Sequence, residues 1–453
     1  MGRLPREEPS RSSQSREKLS QKERVAPSLF RLDVALTFSV EKVEFVYRLR
    51  MDDVHFHMLQ MKTFTFSVKT TVIFGSGALK RIPDVLGNAQ AKTAWVISSE
   101  NLASCGLLDV VTKSLRSNNT TIESYLIPDR EPTLATLLKA FEQASLKKCD
   151  LVIGLGGGSC MDTAKLVALG LGQSEGVEGL LMGKDIEGPG AYNLMIPTTA
   201  GTGAEVTPNG VFVDEAEGTK KGIVSDFLIP AVAVVDPALM VSMPPELTAF
   251  TGIDALSHSL ESFVSRKANP FSDLFAKESL KLVFEHLGQA CARGKDMKAR
   301  TGMALASLYG GIALTHSGTC GAHALAYPLG GRFGMPHGLA VAVLIRPVMN
   351  LIQSAIQSRL ADLAGYLGFG GPSESLPRLF LEELEKLLSR VGIPRNCQSW
   401  GISPHDIEWL TSKASKVRRL LDNSPRELGI EEIKGIYEEV ISTGFDSSGL
   451  SNI

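Results

Sequence analysis

A chain of 453 residues that is 43% hydrophobic carries enough apolar surface for a large core and more than one domain. Its formal net charge of −2, with acids and bases mixed along the chain, gives no electrostatic case for a nucleic-acid or membrane-surface partner. The six cysteines, Cys105, Cys149, Cys160, Cys291, Cys320 and Cys397, lack CxxC spacing, which favours reduced thiols in a cytoplasmic protein over a disulfide framework.

Residues 1–60 open with MGRLPREEPSRSSQSREKLSQKER, a polar, Ser- and Arg-rich composition expected to form a disordered extension. Glu7, Glu8, Glu17 and Glu23 argue against a transit peptide, and Met61 is a candidate start of the folded part. No uninterrupted apolar run of about 18 residues predicts a membrane span, and no secretory signal is expected. From FTFSVKTTVIFGSGAL onward, β-branched or apolar runs alternate with helical patterns: TAWVIS at 93–98, LVIGL at 151–155, LMIP at 194–197 and VAVVD at 232–236. That alternation predicts an α/β domain over 61–243, a mostly parallel sheet with helices on both faces. After Pro244 and Pro245 the strand signals stop. Patterns such as ELTAFTGIDALSHSLESFV and FLEELEKLLSRVG predict an all-helical domain over 244–453.

Three stretches carry chemistry. In LVIGLGGGSCMDTAK, Gly154, Gly156, Gly157, Gly158 and Ser159 follow a strand and precede a helix. A pyrophosphate binds at such a place, against unpaired N–H groups and the positive helix end; a tight strand-to-helix turn is the competing reading, and Ser159 departs from GxGxxG. In TGIDALSHSLES, Asp254 and His258 stand four apart, so that a helix would project both from one face, either as metal ligands or as a local hydrogen-bonded pair. In HALAYPLGGRFGMPHG, His323 and His337 flank a glycine-rich turn. One carboxylate and three imidazoles together are a donor set suited to Fe(II) or Zn(II).

The combination of GGGSCMDTAK, PTTAGTGAEVT, GIDALSH and HALAYPLGGRFGMPHG, in this order from Met61 to the C-terminus, resembles the iron-containing (group III) alcohol dehydrogenases. The resemblance implies the dehydroquinate-synthase-like fold, with a Rossmann-like dinucleotide-binding domain followed by a helical metal-binding domain. It implies that Asp254, His258, His323 and His337 hold Fe(II), or Zn(II), with the Gly330–Gly331 turn bringing the last two together. It implies a pyrophosphate loop at Gly157, Gly158, Ser159 and Asp162, and cofactor or cleft contacts at Thr198, Thr199, Thr202, Asn209 and Lys220. The activity implied is hydride transfer between an alcohol or aldehyde and NAD or NADP, commonly in a homo-oligomer of two or more copies.

Departures from the family pattern add expectations. NAD-preferring relatives place an acidic residue after the second strand, where this chain has Ser99 followed by Glu100; NADP tolerance follows unless Glu100 takes over that role. Tyr327 replaces a histidine that relays the alcohol proton in relatives reducing simple aldehydes, and relatives acting on hydroxy acids tend to carry Tyr there. With Arg332 expected in the adjoining loop, the substrate is expected to be a small hydroxy acid or its semialdehyde; the plainer reading is that Tyr327 only packs and Arg332 faces solvent. Leu314 falls where relatives often have an aromatic. The alternatives are a hydroxyacid–oxoacid transhydrogenase, a dehydroquinate-synthase-like NAD- and metal-dependent lyase, and a nucleotide-binding sensor without catalysis.

Overall fold

The β-branched runs pair into a parallel sheet, seen in a computed structural model whose described residues are 63–84, 91–115 and 120–442; from Phe64 onward these belong to one unit of the chain. The expected disorder of residues 1–60 lies outside the described residues. In chain order the strands are β1 (Thr71–Phe74), β2 (Thr93–Ser99), β3 (Thr121–Ile127), β4 (Leu151–Gly156), β5 (Tyr192–Pro197), β6 (Asn209–Asp214), β7 (Thr219–Val224) and β8 (Val232–Val235). Six of them form one sheet in the order β1-β8-β5-β4-β2-β3, and β6 and β7 form a separate antiparallel hairpin.

Side chains of the sheet alternate between two cores, as the pleat requires. Trp95, Ile97, Val152 and Met195 face one core with helices α3 (Leu134–Leu146) and α4 (Gly158–Gly170). Ala94, Val96, Ile153 and Leu194 face the other, with α2 (Leu107–Leu115), which follows the short α1 (Glu100–Ser104). Helix α5 (Gly176–Leu181) completes the cover. After β2 the chain adds β3 on one side and returns with β4 on the other. The carboxyl ends of β2 and β4 therefore flank a topological switch point, where open α/β sheets form a crevice.

From Pro245 the described residues form no further strand. The helices are α6 (Pro245–Val264), α7 (Pro270–Ala292), α8 (Met297–Ser317), α9 (Gly321–Phe333), α10 (His337–Tyr366), α11 (Leu376–Arg390), α12 (Ile407–Ala414), α13 (Arg418–Leu421) and α14 (Ile430–Ser442). Proline at the first helical position starts α6 and α7, and Asn269 with Ser272 closes a capping box on α7. Helix α10 is long and apolar enough to cross a membrane by length and composition, but 67% of its apolar window is buried inside the protein. The start of α6 is clamped by Arg300, 2% exposed, which donates to the Gly294 and Met243 carbonyls and to the Thr248 hydroxyl. A buried guanidinium is tolerated there because each nitrogen has an oxygen partner.

Candidate functional site

Helix α6 carries the start of the site. Asp254 and His258, one turn apart, point from the same face, and Glu261 follows on the next turn. Helix α9 supplies His323 and the first residue of α10 is His337. The turn that brings the last two together is not Gly330–Gly331, as expected from the sequence. Both glycines lie inside α9, and the chain reverses at Gly334, in the left-handed region at φ 65°, and Pro336. The reason for glycine inside α9 is close packing: a Cβ on Gly331 would lie 2.4 Å from the Thr219 Cα of the hairpin.

The four side chains converge on one point. The Nε2 atoms of His258, His323 and His337 lie 3.8, 3.6 and 3.8 Å from Asp254 Oδ1, and all four donor atoms lie within 4.8 Å of one another. The edge of a tetrahedron is about 1.6 times its centre-to-vertex length, so bonds of about 2.0–2.2 Å predict donor separations of roughly 3.3–3.6 Å. Asp254 Oδ1 and His323 Nε2 are buried without a hydrogen-bond partner. Orphaned polar atoms carry a substantial penalty unless something binds them, so these residues fit a divalent cation.

Their protons are arranged accordingly. Nδ1 of His258 lies 3.2 Å from the Gly201 carbonyl, and Nδ1 of His323 lies 2.6 Å from Glu261; each acceptor holds the proton on Nδ1 and leaves Nε2 free toward the centre. Burial alone would raise the Asp254 carboxyl, but His258, His337 and His323 hold it well below the usual carboxylate range. Burial would lower His323, yet Asp254 and Glu261 push it up to about 9. Burial lowers His258, and burial with Lys220 lowers His337. The centre thus favours a positive charge among imidazoles, two of which stay neutral. Chelation needs all three imidazoles neutral, so a bound cation would take the place of the proton that Asp254 and Glu261 favour on His323.

Glu261 was not singled out from the sequence. Its side chain is 0% exposed and accepts from the backbone N–H groups of Cys320 and Ala322 and from His323 Nδ1. A glutamate three residues after His258, in a stretch of helix buried on every side, was the available signal.

The cluster closes one end of a cavity of about 980 Å³ that runs to the switch point of the sheet and is lined by Ser99, Gly157, Gly158, Ser159, Asp162, Thr198, Thr199, Thr202, Asn209, Lys220, Leu314 and Tyr327 among others. Gly157 caps α4, whose N–H groups face the cavity end of β4. Gly156, at φ 148°, would place a Cβ 2.5 Å from Cys160 Sγ, and a Cβ on Gly158 would meet Thr202 at 2.8 Å. Glycine at these two positions is thus demanded by the turn and by packing, independently of a ligand. Asp162 is a wall residue rather than a free anion: Lys165 lies 2.9 Å from its Oδ1, and the Val211 N–H donates to its Oδ2. Lys220 pairs with Glu131 at 2.8 Å. Ser99 Oγ caps α1 through the Leu102 N–H, while Glu100 is exposed and does not line the cavity. Asp129 does line it beside Ser99.

The description "iron-containing alcohol dehydrogenase" matches residues 69–237, and the C-terminal region of the same family matches 248–441. Long-chain-alcohol dehydrogenase 1 of Geobacillus thermodenitrificans is 41% identical over 372 residues, 80% of this chain and 93% of the relative. The chain belongs to the iron-containing alcohol dehydrogenase family. It is a metal-dependent alcohol oxidoreductase. The NAD-dependent methanol dehydrogenase of Bacillus methanolicus is 31% identical over 83% of this chain and 99% of its own length. An iron-containing alcohol dehydrogenase of Thermotoga maritima superposes with a TM-score of 0.75 at 32% identity, covering 84% of this chain and all of that one. The sheet-then-helices architecture expected from the sequence is thus the fold of the family.

One substrate-side expectation needs correction. Arg332 lies in α9 rather than in a loop, and its guanidinium stacks 4.5 Å from the Trp409 ring centroid and pairs with Asp406 at 3.5 Å. Tyr327 does more than pack: its hydroxyl accepts from Arg419 Nη2 at 3.4 Å. Burial raises its pKa, so it keeps its proton across the physiological range.

Proposed function

We propose that Asp254, His258, His323 and His337 hold the metal, Fe(II) or Zn(II), and that NAD or NADP lies along the cavity with its pyrophosphate at Gly157, Gly158 and Ser159. When bound, the cation activates the substrate oxygen and the nicotinamide ring accepts or donates the hydride. The observation that carries this reading is the convergence of three Nε2 atoms on an unpartnered carboxylate oxygen at the end of a cavity reaching the switch point.

The chain's own residues supply position and protons. The free N–H groups at the start of α4 favour a phosphate, and Lys165 offsets the charge of Asp162 that would oppose one. Thr198, Thr199, Thr202 and Asn209 line the path between phosphate loop and metal cluster. Lys220, 5% exposed and paired with Glu131, fixes a positive charge beside His337. Tyr327, one turn after His323, can donate a hydrogen bond but cannot act as a base near neutrality. Proton exchange with solvent must then run through water on the His337 side, whose imidazole is 22% exposed. The same reading includes a cytoplasmic location, supported by six free cysteines, and a homo-oligomer, which rests on family resemblance alone.

The test is metal content measured together with turnover. Chelation should abolish alcohol oxidation with either cofactor, Fe(II) or Zn(II) should restore it, and His337→Ala should lose both metal and turnover. Undiminished activity in protein stripped of metal would overturn the proposal.

A further inference from the structure

Three close backbone contacts seal the seams around the histidine cluster. A Cβ on Gly201 would lie 2.6 Å from the Thr251 carbonyl oxygen, one on Gly203 would lie 2.5 Å from the Gly311 Cα, and one on Gly338 would lie 2.3 Å from the Phe250 carbonyl oxygen. The loop after β5 is thus pressed against α6 and α8, and the start of α10 against α6. Chain segments packed this tightly leave no gap for water, still less for a hydrated ion. Behind the imidazoles stand the groups that orient them: the Gly201 carbonyl at His258 and the fully buried Glu261 at His323.

What remains is the cavity. All four cluster residues line it, yet Asp254, His258 and His323 are only 2%, 6% and 3% exposed. The His337 side chain, 22% exposed, is the one that solvent reaches. Lys220 lines the same cavity, held by Glu131, and its charge acts on His337. Among the described residues the cluster therefore opens on its His337 side alone, and it opens into the space proposed for the cofactor. At about 980 Å³ that space is of a size that buries most of a ligand's surface.

We infer that the cavity is the metal's route in and out, and that a dinucleotide seated along it bars that route, so that metal must load before cofactor and is retained while cofactor is bound. This rests on the cofactor placement proposed above and adds an order of assembly to it. A neutral, slender alcohol can still pass beside the cofactor. A divalent ion cannot do so as easily, because it travels with its hydration shell and is repelled by the Lys220 ammonium. The effect is kinetic: a barred route slows entry and exit alike and leaves the equilibrium affinity for metal unchanged. If the ion passes only while the cavity is empty, its release rate scales with the fraction of empty protein, roughly 1% at a cofactor concentration about 100 times Kd.

The experiment follows metal rather than turnover. Protein loaded with Co(II) is mixed with excess chromogenic chelator, and release is timed without nucleotide, with NAD or NADP, whichever binds more tightly, and with AMP, which covers the adenosine end alone. Uptake of Co(II) by metal-free protein is timed under the same conditions. Cofactor at about 100 times Kd should slow both release and uptake about 100-fold, whereas AMP should leave both unchanged. Ser159→Asp, which places a carboxylate where the pyrophosphate would lie, should lose the cofactor's effect on both rates. Equal rates with and without a cofactor that fluorescence titration shows to be bound overturn the inference. So does slowed release with unslowed uptake, which would mean that the cofactor tightens the metal site instead of barring its route, and so does AMP acting as strongly as the dinucleotide. Failure of both dinucleotides, or of Co(II), to bind at all would overturn the dehydrogenase reading and with it the inference that rests on it.

Discussion

At the scale of single residues, the least conspicuous member of the site is Glu261. It is fully buried, yet it satisfies two backbone N–H groups at the start of α9 and the His323 imidazole with one carboxylate. Two roles are thereby combined: it anchors the helix that carries a ligand, and it fixes the proton on the nitrogen that does not face the metal cluster. The two can be separated. Glu261→Gln keeps an acceptor oxygen for only one of the Cys320 and Ala322 N–H groups and loses the charge opposite His323. Metal affinity should therefore fall by about 10- to 100-fold, with a loss of melting temperature smaller than that of Glu261→Ala. Glu261→Ala leaves the buried donors unpaired, at a cost of about 1–3 kcal/mol for each, and should lose stability as well. Affinity measured by competition with a chromogenic chelator, beside thermal unfolding of the metal-free protein, distinguishes the two. A Gln variant that binds metal as tightly as wild type would reduce Glu261 to a structural anchor.

At the scale of elements, what the sequence disclosed follows burial. β2, β4, β5 and β8 are apolar runs buried over nearly their whole length, and each was legible. β3, TIESYLI, is an edge strand with Glu123 and Ser124 inside it and only one fully buried residue, so it lacked the signal. The β6–β7 hairpin was missed for a similar reason, since EAEG joins two strands, the second opening with the polar TKKG, that pair with no other strand. The ligand quartet was legible because its members lie at two helix starts and one helix face, whereas Glu261 and Arg419 are meaningful only through what folding brings against them. The loop after β2 illustrates the limit for cofactor choice. Ser99 stands at the expected place, Glu100 turns outward, and Asp129 enters the same corner from the end of β3. With no acidic side chain at Ser99 itself, NADP should be accepted beside NAD, and Ser99→Asp should lower kcat/KM for NADP on the order of tenfold or more while sparing NAD. A wild type that already rejects NADP as strongly as the mutant would show that Asp129 supplies the repulsion.

At the scale of the whole molecule, chemistry is divided between two kinds of framework. A parallel sheet offers loop N–H groups at its switch point, and a packed set of helices offers side chains held in place along their whole length; the cavity joins the two. Among the described residues, the packing that keeps this arrangement includes Phe64, a few positions before residue 69, where the family description begins to match. Phe66 stacks on Phe271 at 4.9 Å and Phe275 at 5.8 Å and lies 4.2 Å from the His316 ring, tying the segment before β1 to α7 and α8. A chain beginning at Met61 retains every one of these contacts and should keep its melting temperature, metal content and kcat/KM. A chain beginning at Lys69 loses the aromatic stack and should be less stable by about 2–3 kcal/mol, the value of burying one large aromatic with its ring contacts. Parallel thermal unfolding and turnover of the two shortened proteins decides the matter: an insoluble or inactive protein starting at Met61 would mean that residues 1–60 contribute to the working enzyme, and equal stability of both would mean that the Phe66 contacts do not hold α7 and α8 together.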